Sequence, residues 1–212
     1  MTTGAWAAFV AATVFALGNW WSRLRHDQRL QYVTKPAALM ALIAAAVLLD
    51  PVDPARRAWF VAALVCGLAG DVFLMVPGDL FVAGLASFLA GHVFYIAGFM
   101  TDRPGSVAAT VSLLVVCAAV VPIAVRLLRA LREGGHSGLA GPVAIYMVGS
   151  GAMWAAALAS GSPLAAIGGG LFVTSDSLIA WDRFVRPLRW AGVVIMVTYH
   201  LGQAGLAFSL LR

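Results

Sequence analysis

Eight long apolar runs divide this chain, and they constrain its fold more than any other feature. They cover residues 4–21, 36–50, 58–76, 80–100, 106–128, 142–159, 163–181 and 188–211. A helix needs roughly 20 apolar residues to cross the hydrocarbon layer of a bilayer. Only 11% of the residues are charged, whereas soluble domains contain about 25%. The sequence therefore predicts an all-α integral membrane protein with eight transmembrane helices.

The breaks between the runs are short and contain residues typical of turns, as in Asp50–Pro54, Pro77–Asp79 and Gly134–Gly138. No linker or change in composition divides the chain, so residues 1–212 are expected to form a single transmembrane helical domain with short loops. The second run is short, and its helix could begin earlier, near Tyr32. No basic region precedes the first run and no small-residue cleavage site follows it, so we expect a span rather than a removable signal peptide.

The distribution of basic residues predicts the orientation. Loops one, three, five and seven contain ten lysines and arginines, and the other side of the membrane has four, which are Arg56, Arg57, Arg103 and Arg212. Loops rich in Lys and Arg remain in the cytoplasm, so both termini are expected outside. Because the net charge of +5 comes from these loops, no nucleic-acid partner is expected. The high arginine and alanine content is typical of a GC-rich bacterial genome and favours a bacterial cytoplasmic membrane.

Two aspartates, Asp71 and Asp176, lie well inside apolar runs. A charged residue at the centre of a membrane helix costs about 2.5–3.5 kcal/mol on insertion scales, so a functional site is the default hypothesis. In the predicted topology both helices run towards the cytoplasm, and each aspartate lies five residues before the end of its run. At 1.5 Å per residue this distance is roughly 8 Å. We therefore expect the two carboxyl groups to share one depth and one site in the cytoplasmic half.

Small and polar residues share one face of the predicted fourth helix. They are spaced by three or four residues, and the set consists of Gly84, Ser87, Gly91, Tyr95 and Gly98, with His92 beside Gly91. Such a face predicts close packing between helices. His92 alone is more often a satisfied interior histidine than a ligand.

Other polar residues accompany the two aspartates. Ser175 adjoins Asp176 in the seventh run, and Tyr199 and Gln203 lie one turn apart in the eighth. Tyrosine and glutamine side chains could simply bond across helices. Lys35, which is followed by a proline, is expected to open the second helix, and Asn19 ends the first helix on the same predicted side.

Motifs of soluble enzymes are absent from the sequence. It contains no Gly-x-Ser-x-Gly elbow, no phosphate-binding glycine loop and no His-Glu-x-x-His motif. Metal ligation by His92, His200, Asp71 and Asp176 is conceivable, but the spacing is not specific for a metal. We therefore expect neither a metal nor a cofactor.

Over nearly its whole length the chain resembles the YhhN family of multi-spanning membrane proteins, which includes lysoplasmalogenases. The resemblance rests on five motifs: Lys35-Pro36, Gly70-Asp71, Gly84-Leu-x-x-Phe88-x-x-x-His92-x-x-Tyr95, Leu171-Phe-Val-x-Ser175-Asp176-Ser177 and Tyr199-x-x-x-Gln203. His200 departs from the family pattern, which often has an aromatic residue at this position.

The resemblance implies hydrolysis of the vinyl ether bond of a lysoplasmalogen, with Asp71 and Asp176 as the catalytic pair. Such a reaction needs a proton donor and an anionic partner, as two-carboxylate glycosidases do. Supporting residues that would orient the acids or the water are His92, Tyr95, Ser175, Tyr199 and Gln203. Lys35, with Asn19 nearby, would hold the phosphate of the lysophospholipid or related ether lipid.

Two other functions remain open at this point. Paired membrane acids also serve proton relays, so a small proton-coupled transporter is possible in principle. No inverted repeat is detectable, however, and the polar residues cluster towards one side. The other alternative is a lipid-binding protein in which the acids only pair with Lys35. The oligomeric state and the native headgroup are not encoded in any motif that we can interpret.

Overall fold

A computed structural model describes residues 1–101 and 104–211, which fold into eight α-helices joined by short loops. The helices are α1 (Thr3–Arg25), α2 (Gln28–Leu48), α3 (Pro54–Met75), α4 (Phe81–Met100), α5 (Ser106–Glu133), α6 (Ala140–Ala159), α7 (Pro163–Phe184) and α8 (Ala191–Phe208). The described residues include no strand. The all-α prediction with eight helices is therefore confirmed. Arg103 and Arg212, which entered the charge count, lie outside the described residues.

Seven of the helices, α2 to α8, are long and apolar enough to cross a membrane. The remaining helix, α1, has 23 residues and is therefore about 34 Å long at 1.5 Å per residue. Its mean hydropathy is lowered by its threonines, glycines and tryptophans and by Asn19. It packs along α2 and α8, as a further helix of the same bundle.

The start of α2 differs from the sequence prediction. The helix begins at Gln28, where the Asp27 carboxylate caps it by accepting a hydrogen bond from the Leu30 N–H at 3.0 Å. Lys35 and Pro36 therefore lie inside the helix, and the expectation that Lys35 opens it was wrong. Proline is favoured in the first turn of a helix, but neighbouring helices allow it inside membrane spans. As a result, Lys35 faces the interior of the bundle rather than a helix end.

Consecutive helices pack as four hairpins, in which α1 pairs with α2, α3 with α4, α5 with α6, and α7 with α8. Further contacts join α2 to α3, α4 to α6, α6 to α7 and α8 to α1, which closes a ring of seven helices. Helix α5 lies outside this ring against α6 and α7. The helices that carry the site described below, α2, α3, α4, α6, α7 and α8, are thus members of the ring.

The glycine face of α4 packs against α3, as the sequence predicted. A Cβ atom at Gly91 would lie 3.0 Å from the carbonyl oxygen of Ala63, and one at Gly98 would meet the ring of Phe60 at 2.6 Å. A second close contact joins α7 to α8, where a Cβ atom at Gly168 would lie 2.7 Å from the backbone nitrogen of Leu206. Small residues allow helix backbones to approach this closely. These contacts fix the register of the helices that carry the buried polar residues.

Candidate active site

Asp71 on α3 is almost completely buried and has two polar partners. Its Oδ1 atom lies 2.9 Å from the Lys35 ammonium of α2. Its Oδ2 atom accepts a hydrogen bond from the Tyr199 hydroxyl of α8 at 2.7 Å. Only 2% of the Asp71 side chain and 11% of the Lys35 side chain are exposed. A buried charge requires such a partner, so this geometry describes an ionised carboxylate balanced by one cation.

A chain of hydrogen bonds extends from Asp71 across the bundle. The Tyr95 hydroxyl of α4 donates to Gln203 Oε1 at 2.7 Å, and Gln203 Nε2 donates to the Tyr199 hydroxyl at 3.4 Å. Tyr199 then donates to Asp71. A Cβ atom at Gly67 would lie 3.0 Å from Gln203 Nε2, so the glycine on α3 makes room for the glutamine. The network fixes the orientation of the Asp71 carboxylate.

Asp176 on α7 has a different environment. Its Oδ2 atom accepts a hydrogen bond from the Tyr146 hydroxyl of α6 at 2.7 Å. Within the described residues, no lysine, arginine or histidine lies within ion-pair distance of it. In the described part of the chain, Asp71 is therefore the member of the two that has a counter-charge.

The depth of the two aspartates differs in detail from the prediction. Helix α3 ends at Met75 and α7 at Phe184, so Asp71 precedes its helix end by four residues and Asp176 by eight. At 1.5 Å per residue these distances are about 6 and 12 Å. The difference arises because α7 extends three residues beyond its apolar run, whereas α3 ends one residue before the end of its run.

His92 on α4 is 1% exposed and lies beside the partner of Asp176. Its ring centroid is 5.3 Å from that of Tyr146 and 5.1 Å from that of Phe172. Neither ring nitrogen of His92 has a hydrogen-bond partner among the described residues. Buried polar atoms normally have partners, so the imidazole can donate one hydrogen bond and accept another from a small polar molecule.

Two cavities meet at this group of residues. A polar vestibule of about 350 Å³ opens between the ends of α1, α2, α3, α4, α7 and α8 and is lined by Arg23, Lys35, Asp182 and Arg183, among others. A small apolar pocket of about 40 Å³ is lined by Asp176 and Tyr146 together with aliphatic and aromatic side chains. Leu74, Phe81 and Ile179 form part of the wall of both cavities. A ligand can therefore place a polar end in the vestibule and an apolar group beside Asp176.

Two residues from the sequence prediction contact other parts of the bundle. The Ser175 hydroxyl donates to the carbonyl oxygen of Ile195 at 3.1 Å and thereby ties α7 to α8. Asn19 Nδ2 donates to the Thr34 hydroxyl at 3.2 Å and ties α1 to α2. Asn19 is completely buried and is not among the residues that line the vestibule. The other predicted residues are connected by hydrogen bonds and ring contacts that pass through Tyr146 and Phe172; they are Asp71, Asp176, His92, Tyr95, Tyr199, Gln203 and Lys35.

Sequence reasoning missed Tyr146 and assigned Arg23 only to topology. Tyr146 is a single aromatic residue in an apolar helix, and its spacing gives no signal of a role. The need of an acid inside an apolar helix, Asp176, for a hydrogen-bond donor was the only available indication. No group of three or more His, Cys, Asp or Glu side chains in the described residues is arranged to hold a metal ion.

A helical membrane bundle with one buried and one partly buried carboxyl group, each hydrogen-bonded to a tyrosine, defines a membrane protein with a polar site among its helices. More specifically, the chain belongs to the YhhN family, whose sequence profile matches residues 30–210. Human lysoplasmalogenase TMEM86B is 37% identical over 152 residues, which are 71% of this chain and 62% of that protein. For mouse lysoplasmalogenase TMEM86B the identity is 33% over 153 residues, again 71% and 62% of the two chains.

Human lysoplasmalogenase TMEM86A is 31% identical over 161 residues, which are 69% of this chain and 62% of that protein. The matched region thus spans about three fifths of the length of these curated relatives. No solved structure matches the chain.

Proposed function

We propose that this chain hydrolyses the vinyl ether bond of lysoplasmalogens, with Asp176 as the proton donor and Asp71 as the anionic partner. The observation that carries the proposal is the unequal partnering of the two carboxyl groups inside the bundle. Asp71 has an ammonium at 2.9 Å, whereas the hydrogen-bond partner of Asp176 is the Tyr146 hydroxyl. The names of the relatives point to the same reaction.

The difference in partners assigns the two roles. Asp176 is partly buried and its carboxyl group has no counter-charge within the described residues, so desolvation favours its neutral form. Asp176 is therefore the protonated member of the pair. Since Tyr146 donates to Oδ2 of Asp176, the proton resides on Oδ1 and is available to a substrate. Asp71 stays ionised next to Lys35 and stabilises positive charge that develops nearby.

The reaction then proceeds in two stages. Asp176 transfers its proton to the outer alkene carbon, and the vinyl ether becomes an oxocarbenium ion whose charge the Asp71 carboxylate stabilises. Water adds to the carbon that carries the ether oxygen, and one of its protons returns to Asp176. The resulting hemiacetal collapses to a fatty aldehyde and a free glycerol hydroxyl. One water molecule is consumed, and the proton donor is restored.

The remaining residues have positioning roles in this scheme. Tyr199, Gln203 and Tyr95 hold the Asp71 carboxylate in place through their chain of hydrogen bonds. His92 lies beside the Tyr146 ring and has two free ring nitrogens within the described region. We assign to it the orientation of the attacking water. Ser175 contributes only by joining α7 to α8.

The two adjoining cavities fit a substrate lipid that has one hydrocarbon chain and one polar headgroup. The vestibule takes the glycerophospho group, and the vinyl ether enters the apolar pocket beside Asp176. The vestibule lies at the helix ends that are joined by loops one, three and seven. By the excess of Lys and Arg in those loops, this side is cytoplasmic.

The test uses the purified full chain in detergent with three matched lysolipids: a 1-alkenyl, a saturated 1-alkyl and a 1-acyl lysophosphatidylethanolamine. We expect a fatty aldehyde from the alkenyl lipid only, since a saturated ether offers no alkene carbon to protonate. In D₂O the aldehyde, reduced at once to the alcohol, should contain one deuterium at the carbon next to the former carbonyl. Absence of aldehyde above the protein-free control would overturn the proposal.

A purely lipid-binding role is the second candidate, because the Lys35–Asp71 pair is the ion pair that this alternative expects. It predicts that Asp71→Asn lowers stability and leaves lysolipid binding intact, with no aldehyde released by the wild-type protein. The proposed reaction predicts wild-type aldehyde release that Asp71→Asn abolishes or strongly reduces. The same assay therefore separates the two candidates.

A further inference from the structure

The vestibule carries an excess of positive charge. Three basic side chains line it, Arg23, Lys35 and Arg183, and one acidic side chain, Asp182. The Asp182 Oδ1 atom accepts a hydrogen bond from the Leu188 N–H at 2.7 Å, and its single negative charge stands against three positive charges. A polar cavity of about 350 Å³ with this charge balance favours an anion.

Arg23 differs from the other two cations in its partners. Its Nε atom donates to the carbonyl oxygen of Gly192 at 3.1 Å, and its Nη1 atom donates to Gln31 Oε1 at 2.8 Å. Both acceptors are neutral, so these contacts orient the guanidinium without compensating its charge. By contrast, Arg183 contacts both carboxylate oxygens of Asp79, at 2.7 and 2.8 Å. Among the three cations, Arg23 is therefore held in place by hydrogen bonds that leave its positive charge uncompensated and able to attract an anion.

We propose that the vestibule binds the phosphate of a lysophospholipid headgroup, with Arg23 as its anchor and Lys35 shared between the phosphate and Asp71. The identity of the lipid rests on the proposed function, whereas the binding of a lipid phosphate does not require any hydrolysis. Guanidinium has five N–H donors, and the two contacts above use two of them. The remaining donors match the paired oxygens of a phosphate.

Lys35 connects this anion site to the buried aspartate. It lines the vestibule, and its ammonium also lies 2.9 Å from Asp71 Oδ1. An ammonium has three donors, so it can contact both anions at once. Headgroup binding thereby fixes Lys35 against Asp71, and Lys35 acts as a positioning residue for the carboxylate.

The arrangement of the cavities matches the chemistry of the lipid. In a lysoplasmalogen the phosphate and the vinyl ether are attached to the two ends of one glycerol unit, so they are only a few bonds apart. The vestibule and the apolar pocket share Leu74, Phe81 and Ile179 in their walls. A phosphate at Arg23 therefore leaves the ether end of the glycerol at the shared wall, next to the pocket that contains Asp176.

The experiment measures binding without turnover. The ligand is an ester-linked 1-acyl lysophosphatidylethanolamine, which lacks a vinyl ether, and its affinity for the purified full chain is compared with that of the matching monoacylglycerol. Inorganic phosphate is added as a competitor in a separate series. The variants are Arg23→Gln, Gly192→Ala and, as a matched control, Arg129→Gln on the exposed side of α5.

Gly192→Ala displaces Arg23 without removing its charge, because a Cβ atom at this position would collide with the guanidinium. It therefore tests the placement of the cation, even if Arg23→Gln impairs folding. Thermal unfolding of each variant gives the control for structural damage.

We expect wild-type protein to bind the lysophospholipid about tenfold more tightly than the monoacylglycerol, as a charge-assisted contact implies. Arg23→Gln should abolish this preference, Gly192→Ala should reduce it, and Arg129→Gln should retain it. Equal affinity of the wild type for both lipids, or an unchanged preference in both Arg23→Gln and Gly192→Ala, would overturn the inference. Half-displacement of the lysophospholipid by equimolar inorganic phosphate would assign the site to the free ion instead and would also overturn it.

This result is independent of the hydrolysis test. A preference for phosphate that depends on Arg23, without aldehyde release from any alkenyl lipid, supports the vestibule assignment and refutes the proposed reaction. Aldehyde release together with an unchanged KM in Arg23→Gln does the reverse.

Discussion

Removing the Lys35 ammonium is the perturbation for which the structure gives the clearest magnitude. The Lys35–Asp71 pair is 2.9 Å long, and its side chains are 11% and 2% exposed. At an effective dielectric constant of about 20, the attraction at this distance is about 6 kcal/mol, part of which compensates the desolvation of both ions. Loss of one partner from a buried pair typically costs about 3–5 kcal/mol. We therefore expect Lys35→Met to lower the free energy of unfolding by about that amount.

The assay is equilibrium unfolding by SDS in mixed micelles, followed by circular dichroism. The control is Arg183→Gln, because the Arg183–Asp79 pair has a similar length of 2.7 Å but side chains that are 38% and 69% exposed. Exposed pairs contribute roughly 0–1 kcal/mol, so this variant should be nearly as stable as the wild type. The comparison isolates burial as the cause of the difference.

The double variant Lys35→Met/Asp71→Asn removes both charges and leaves no unpaired ion. It should therefore be more stable than Lys35→Met alone, with an interaction energy in the upper part of the range of about 0.5–3 kcal/mol for contacting residues. A Lys35→Met variant as stable as Arg183→Gln would refute the reasoning, since Asp71 would then not need its counter-charge.

Three further predictions follow from the same contacts. Tyr146→Phe removes the hydroxyl that donates to Asp176 at 2.7 Å. It should lower kcat for aldehyde release about 10- to 100-fold with little change in KM. An unchanged kcat would show that Tyr146 does not position Asp176 for catalysis. Gly168→Val places side-chain atoms where the α7 and α8 backbones meet and should reduce the yield of folded protein, whereas Gly141→Val, with open space around it, should not. The topology is tested in a variant that lacks Cys66 and Cys117. There, Asp79→Cys should react with an impermeant thiol reagent only from the cytoplasm, and Val52→Cys only from outside. The opposite labelling pattern would mean that the chain has the reverse orientation.

The helices and their close contacts were largely predictable from the sequence. Long apolar runs determine where membrane helices lie, and the glycine spacing on α4 indicated the face that packs against α3. Asp71 and Asp176 could be selected because an acid in hydrocarbon is costly wherever it occurs. The helical spacing of one turn placed Tyr199 and Gln203 on one face of α8, but the hydrogen bond between them was not predicted.

The partners of the aspartates were harder to predict, since they depend on how distant helices rotate. Tyr146 lies 30 residues before Asp176, and no local pattern connects the two. The proline after Lys35 suggested a helix start, but the Asp27 cap begins the helix earlier and directs Lys35 into the bundle. Arg23 was interpreted through loop charge alone, because its contacts with Gln31 and Gly192 require the packing of α1 against α2 and α8.

The most direct test of the central claim is the rate of aldehyde release from a 1-alkenyl lysophospholipid by the wild type, Asp176→Asn and Asp50→Asn. A positioned general acid contributes typically 10²- to 10⁴-fold. We predict that Asp176→Asn folds normally and loses at least about a hundredfold in kcat. Asp50→Asn, in the loop between α2 and α3 at the opposite end, should retain the wild-type rate. A wild-type rate in folded Asp176→Asn would contradict the assignment of this residue as the proton donor.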